Sequence, residues 1–256
     1  MKHSEVKAFL DLQLRKHHNS DFIASDPVSI PHRFSATEDI EVSGFLTATI
    51  SWGQRTTILK NAESLMMMMD YAPFDFVSHA SASELRRLDT FVHRTFNGTD
   101  AKAFVRSLRK VYGEHGGPQA LFSGGLNAHG NNMGHAIRHF RDVFLKEAKS
   151  PRTSKHVADP TSGSAAKRIN MFLRWMVRKD STGVDFGIWN SISPSVLMCP
   201  LDVHSGRVAR ALGLLSRKQD DWMAVEQLTA SLRKFDPADP VKYDYALFGA
   251  GVSGIL

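Results

Sequence analysis

A chain of 256 residues, 42% apolar and 23% charged, is long enough and apolar enough to bury a sizeable core, which excludes the disordered class. Its longest apolar runs span a handful of residues, far short of the ~20 that a membrane-crossing helix needs, and its single cysteine, Cys199, excludes an internal disulfide or a cluster held by four thiolates of this chain. A formal charge of +6 points to an anionic partner.

The first segment, residues 5 to 16, places Val6, Phe9, Leu10 and Leu14 on one helical face, and Asp26-Pro27 with Pro31 ends it. Both charges interrupt its apolar positions, so it lacks the continuous apolar core of a secretion signal and a cytoplasmic location is expected. Thr37 opens a capping-box pattern with Glu41 just beyond, leading into DIEVSGFLTATISW. That run alternates in part and has a local strand alternative; helix is the reading adopted. Trp52 to Thr57 is a polar break before the helix ILKNAESLMMMMD, whose Met66 to Met69 read as pliable core.

Helical phase continues over Ser83 to Phe96, through Leu85, Leu88, Phe91 and Val92, and over Ala101 to Tyr112. Gly116-Gly117-Pro118 interrupts, and Gln119 to Leu126 is a short turn or helix. His135 and His139 are four apart and could hold zinc with His129 as a third ligand, but Ala136 stands where a metalloprotease motif has glutamate. No metal and no cofactor is expected.

Residues 141 to 180 hold ten Lys or Arg (Arg141, Lys146, Lys149, Arg152, Lys155, Lys167, Arg168, Arg174, Arg178, Lys179) against four acids (Asp142, Glu147, Asp159, Asp180), while the other 216 residues balance at 22 against 22. All the excess charge therefore surrounds one turn, Pro160 to Ala166, and the helix that Lys167 begins. Lys167, Met171, Arg174 and Arg178 share one stripe of that helix, and Ile169, Phe172, Leu173 and Met176 share another, so one face can pack while the other meets an anion. A loop ending at Pro200 then leads to a second helix with Asp202 at its entrance. Residues 221 to 234 form an amphipathic helix through Trp222, Val225, Leu228 and Leu232. Val241 to Val252 is helical, with Gly249 and Gly251 suited to close packing.

Residues 200 to 214, PLDVHSGRVARALGL, resemble the (V/L)-D-x-H-x-x-R-V-x-x-R-L-G-L segment of the helix-hairpin-helix DNA glycosylases, and Asp202 falls on the catalytic aspartate of that superfamily. Upstream, PTSGSAAK (residues 160 to 167) resembles its hairpin, with Lys167 at the lysine that lyase-type members use as nucleophile. The hairpin here has one glycine where two are usual, and Lys167 and Asp202 lie 35 positions apart (202 − 167). The chain resembles more closely still a bacterial family, DUF2400, in SAAKR-NMFLRWMVR, VDFGIW, PLDVH and KYDYALFGAGV. Together these resemblances imply an all-α fold, a two-lobed helical bundle of the glycosylase type spanning residues 1 to 256. Its central lobe would run roughly from residue 37 to 215, with the N-terminal helix and residues 220 to 256 in or against the second lobe.

The residue types suit the chemistry that the resemblance implies. Breaking an N-glycosidic bond leaves positive charge on the sugar, which a carboxylate at Asp202 would stabilise, and the unpaired N–H groups of the helix entrance favour its anionic form. A neutral Lys167 could attack the anomeric carbon, and the neighbouring Arg168, Arg174 and Arg178 would favour loss of its proton. Ser162, Gly163 and Ser164 are small enough for backbone N–H groups to reach a phosphate, with Arg168, Arg174 and Arg178 as further DNA contacts. Candidates to cover an extruded base are Trp52, Gln54, Trp175 and Trp189, with Phe186 beside them.

The expected function is removal of a damaged base, an oxidised purine among the candidates, from double-stranded DNA by a monomeric glycosylase with abasic-site lyase activity. The alternative is a DNA- or RNA-binding protein that keeps the fold and its basic hairpin without catalysis. In that case Asp202 is a plain helix cap.

Overall fold

The structure, a computed structural model, describes residues 2–148 and 150–255, so Lys149 lies outside the described residues. Among these the protein is essentially all-α. The helices in chain order are α1 (His3–His17), α2 (Asp21–Ser25), α3 (Thr37–Thr49), α4 (Arg55–Met68), α5 (Pro73–His79), α6 (Ala82–Leu85), α7 (Gly98–His115), α8 (Pro118–Ala128), α9 (Met133–Ala148), α10 (Lys167–Val177), α11 (Val203–Ala211), α12 (Trp222–Arg233) and α13 (Tyr243–Val252), joined in places by 3₁₀ turns. A two-residue antiparallel ribbon pairs β1 (Val92–His93) with β2 (Phe96–Asn97). Among the described residues, no helix is long and apolar enough to cross a membrane.

The chain divides into two compact units, Ser25–Ala158 and the pair of segments Met1–Ala24 with Asp159–Leu256. The grouping changes at Asp159. The reason lies in the partners of α10 and α11. Their side chains meet α13, whereas those of α7 and α9 meet α3. The basic segment is cut by the same boundary.

In the unit Ser25–Ala158, α3 is buried on every side from Ile40 to Thr49. A helix satisfies its own backbone hydrogen bonds, so a β-branched, apolar segment can be enclosed this way without sheet partners. Phe45 of α3 meets Phe104 of α7 and Phe140 and Phe144 of α9, with ring centroids 5.4 to 5.7 Å apart. Thr37 does not cap α3. Ala36 holds the N-cap position, without a side-chain hydrogen bond.

The helix expected over Ser83 to Phe96 is broken into α6, a 3₁₀ turn at Arg86–Thr90, and the ribbon. Asn97 imposes the break, because its side chain caps α7 by accepting from Thr99 N and Asp100 N while Asp100 accepts from Asn97 N. A residue in that capping geometry is extended, so the chain must leave any preceding helix. Leu85, Leu88 and Phe91 keep the predicted burial, but Val92 points outward. The methionine run is split as well: Met66 and Met69 are buried and Met67 is exposed.

In the other unit, α1 lies against α13 and α13 against α11. A Cβ at Gly249 would stand 2.2 Å from the His17 ring, and one at Gly251 would stand 2.8 Å from the His204 carbonyl oxygen. Only glycine permits both approaches. Trp222, Val225, Leu228 and Leu232 of α12 are all buried, as their spacing predicts.

Candidate active site at the entrances of two helices

The turn before α10 is organised by Asp159, whose carboxylate accepts from Thr161 N, Thr161 Oγ1 and Ser162 Oγ at 2.7 to 3.0 Å. Its backbone is internally bonded. Ser162 N and Ser164 N donate to the Asp159 carbonyl, Gly163 N donates to Pro160 O, and Gly163 O accepts from Trp222 N. The N–H groups of Ser162, Gly163 and Ser164, which the resemblance would turn towards a phosphate, close the turn in this structure. Ala166, in left-handed backbone geometry at φ 48°, then delivers Lys167 as the first residue of α10, with no side-chain cap.

Asp202 is the N-cap of α11. Its Oδ1 accepts from His204 N at 2.9 Å and from Ser205 N at 3.0 Å, which leaves Oδ2 to face Lys167 Nζ at 3.8 Å. One carboxylate thus holds the helix entrance with one oxygen and meets the lysine with the other. Both side chains are partly exposed, at 31% for Lys167 and 23% for Asp202. An ion pair this accessible contributes about 0–1 kcal/mol, so stability is a weak reason for bringing together two residues so far apart in sequence.

Beneath this pair the stripe of α10 meets carboxylates of the protein itself. Arg174 is bonded to Asp244 and reaches Asp185 at 3.3 Å; Arg178 reaches Asp180, Asp185 and Asp239 at 2.6 to 2.8 Å. Both guanidinium groups are buried, at 4% and 3% exposure, with Arg174 stacked over the Tyr245 ring. Both are engaged by carboxylates of the protein itself. Four aspartates, Asp180, Asp185, Asp239 and Asp244, surround these two guanidinium groups. Burial lowers the pKa of Arg178, but the carboxylates of Asp185, Asp239 and Asp180 outweigh that and hold it above the ordinary arginine value. Asp180 shows the complementary balance: burial raises its pKa, and hydrogen bonds from His18 and Thr182 with the Arg178 charge pull it far below the usual range. Trp175 and Trp189 are fully buried in the core, the latter edge-on to Phe172 at 5.3 Å.

Asp244 was not anticipated. It is almost wholly buried on α13, bonded to Arg174, and coupled electrostatically to Asp202 and Lys167. Burial pushes its pKa up to about 6, against the Arg174 charge and with help from Asp202. The sequence did carry a signal, since arginines at a seven- and eleven-residue spacing from Lys167 on an otherwise apolar helix require counter-charges from elsewhere in the chain.

A family model described as Protein of unknown function (DUF2400) matches residues 26–253. The chain belongs to the DUF2400 family. No curated protein and no solved structure matches it.

The remaining candidates in this DUF2400 chain are placed as follows. Arg168, the second residue of α10, is half-buried, and desolvation lowers its pKa to about 10. Gln54 is exposed at the N-cap of α4, and Trp52 is half-buried with its ring edge-on to His93 at 4.8 Å; both belong to the unit Ser25–Ala158. The His129 and His135 rings stand edge to face at 5.3 Å. Among the described residues, His18, Asp180 and Asp185 lie close enough to share a metal ion. Arg178 Nη1 bonds to both of those carboxylates, so a cationic group of the DUF2400 chain already fills that place.

Proposed function

We propose that this protein is a DNA glycosylase with abasic-site lyase activity, of the helix-hairpin-helix type. The observation that supports this reading best is the approach of Lys167 Nζ to Asp202 Oδ2 at 3.8 Å. It joins the two positions that the sequence resemblance singles out, on separate elements, with both groups accessible.

In this reading two backbone N–H groups hold Asp202 Oδ1, and the oxygen that faces Lys167 stabilises positive charge on the sugar. Lys167, as the neutral amine, bonds to the anomeric carbon. The bond from that carbon to the base breaks, and its electron pair leaves on the base nitrogen, which then takes up a proton. Loss of a proton from the new ammonium and opening of the sugar ring give an imine that borohydride reduces to a stable adduct. DNA contact rests on Lys167, Arg168 and the exposed hairpin side chains, since Arg174 and Arg178 are internal.

The test is borohydride trapping on lesion-bearing and abasic duplexes. Wild type is expected to give an adduct, Lys167→Gln none, and Asp202→Asn a large loss of base removal with nearly unchanged DNA affinity. Asparagine keeps the N-cap and the shape, and removes only the charge. A protein that binds such duplexes but neither excises nor traps on any of them would refute the enzymatic reading.

A further inference from the structure

We propose that Asp244 is a third ionisable residue of the Lys167 and Asp202 site, a positioning group whose charge acts on that pair. The inference rests on the glycosylase reading for its effect on rate, though not for the coupling itself. Lys167 and Arg174 are seven residues apart, two turns along one stripe of α10. Lys167 faces Asp202 at the entrance of α11, and Arg174 is bonded to Asp244 in the first turn of α13. The two ion pairs are therefore stacked along a single helix face. Their charges are felt across the stack, with Asp244 coupled to both Asp202 and Lys167, and the fully buried Cys199 thiol coupled to Asp244, Arg174 and Asp202.

Asp244 is bonded to Arg174 of α10 and feels the charges of Asp202 at the α11 entrance, Lys167 of α10 and Asp185 from the loop after it, and it acts in turn on Cys199. Other turns of α13 meet Asp11, His17 and His18 from α1 and His204 and Arg207 from α11, through Tyr243, Gly249, Tyr245, Phe248 and Gly251. Asp202 accepts two backbone N–H groups at its cap, whereas Asp244 is buried. The buried one carries its proton in mildly acidic solution and loses it towards neutrality. An ionised Asp244 adds negative charge where the sugar becomes positive, so it favours the reaction; a protonated one does not.

Two measurements test this. In single-turnover base excision from a lesion-bearing duplex that the wild type cleaves, the rate ratio of wild type to Asp244→Asn should be near one below pH 5. It should rise on the order of tenfold above pH 7, the effect of one charge about two helical turns away, roughly 10 Å, in a medium of effective dielectric about 20. Asp244→Glu should restore the rise, which a merely structural role would not predict. A ratio that stays flat from pH 5 to 8, with both variants folded, overturns the proposal. Independently of activity, carbon-13 NMR of labelled aspartate carboxyls should show the Asp244 midpoint falling in Asp202→Asn, because a repelling charge is removed. An unchanged midpoint overturns the coupling. If wild type traps on no duplex, the glycosylase reading falls by itself, and the NMR titration then decides whether Asp244 belongs to the cluster.

Discussion

Arg178→Ala separates the internal network from the DNA-contact role that the sequence suggested. Arg178 is 3% exposed and holds Asp180, Asp185 and Asp239 at 2.6 to 2.8 Å. Removing it leaves buried or half-buried carboxylates without their cation, a change that costs about 3–5 kcal/mol in comparable buried pairs. With a urea slope of roughly 2–3 kcal/mol per molar, the unfolding midpoint should fall by about 1–2 M. Tryptophan fluorescence suits the assay, because Trp175, Trp189 and Trp222 all lie in the same unit as Arg178 and Trp52 alone in the other. The deficit should also depend on pH. Asp180 has a folded pKa depressed below its unfolded value, so its contribution is present above the ordinary carboxylate pKa and is lost as pH falls through the folded one. Wild type and variant should therefore differ most near neutrality and converge below about pH 4. The salt dependence of duplex affinity should not change. A stability loss under about 1 kcal/mol, with the logarithmic salt slope reduced by roughly one, would instead make Arg178 a phosphate contact and refute the reasoning.

Two further outcomes follow from packing. Gly249→Ala places a methyl group 2.2 Å from the His17 ring; it should lower stability by about 1–3 kcal/mol as an overpacked core site, and a thermal midpoint equal to that of wild type would show that α1 yields without cost. Cys199 is fully buried and its thiol pKa is raised, first by burial and then by Asp244. It should react with a thiol reagent only in denaturant, at a rate that tracks unfolding, and rapid labelling of the native protein would contradict the placement.

The helical class, most helix positions and the two helix entrances at Lys167 and Asp202 were legible in the sequence. Each depends on local physics: the period of the apolar residues, a capping side chain, or a proline or glycine that stops a helix. Asp202 as N-cap of α11 is such a case, as are the buried stripe of α12 and the glycines of α13. Where a second local rule competed, the sequence misled. The apolar phase over Ser83 to Phe96 survives as burial of Leu85, Leu88 and Phe91, yet the cap that Asn97 makes for α7 breaks the helix. Which charge meets which other charge was a tertiary matter throughout. A basic stripe reads the same whether its partner is a phosphate or an aspartate of the same chain, because periodicity gives the face of a helix and not what lies opposite. Only the packing of α10 with α13 and the loop after it placed Asp185, Asp239 and Asp244 against Arg174 and Arg178 and left Lys167 beside Asp202.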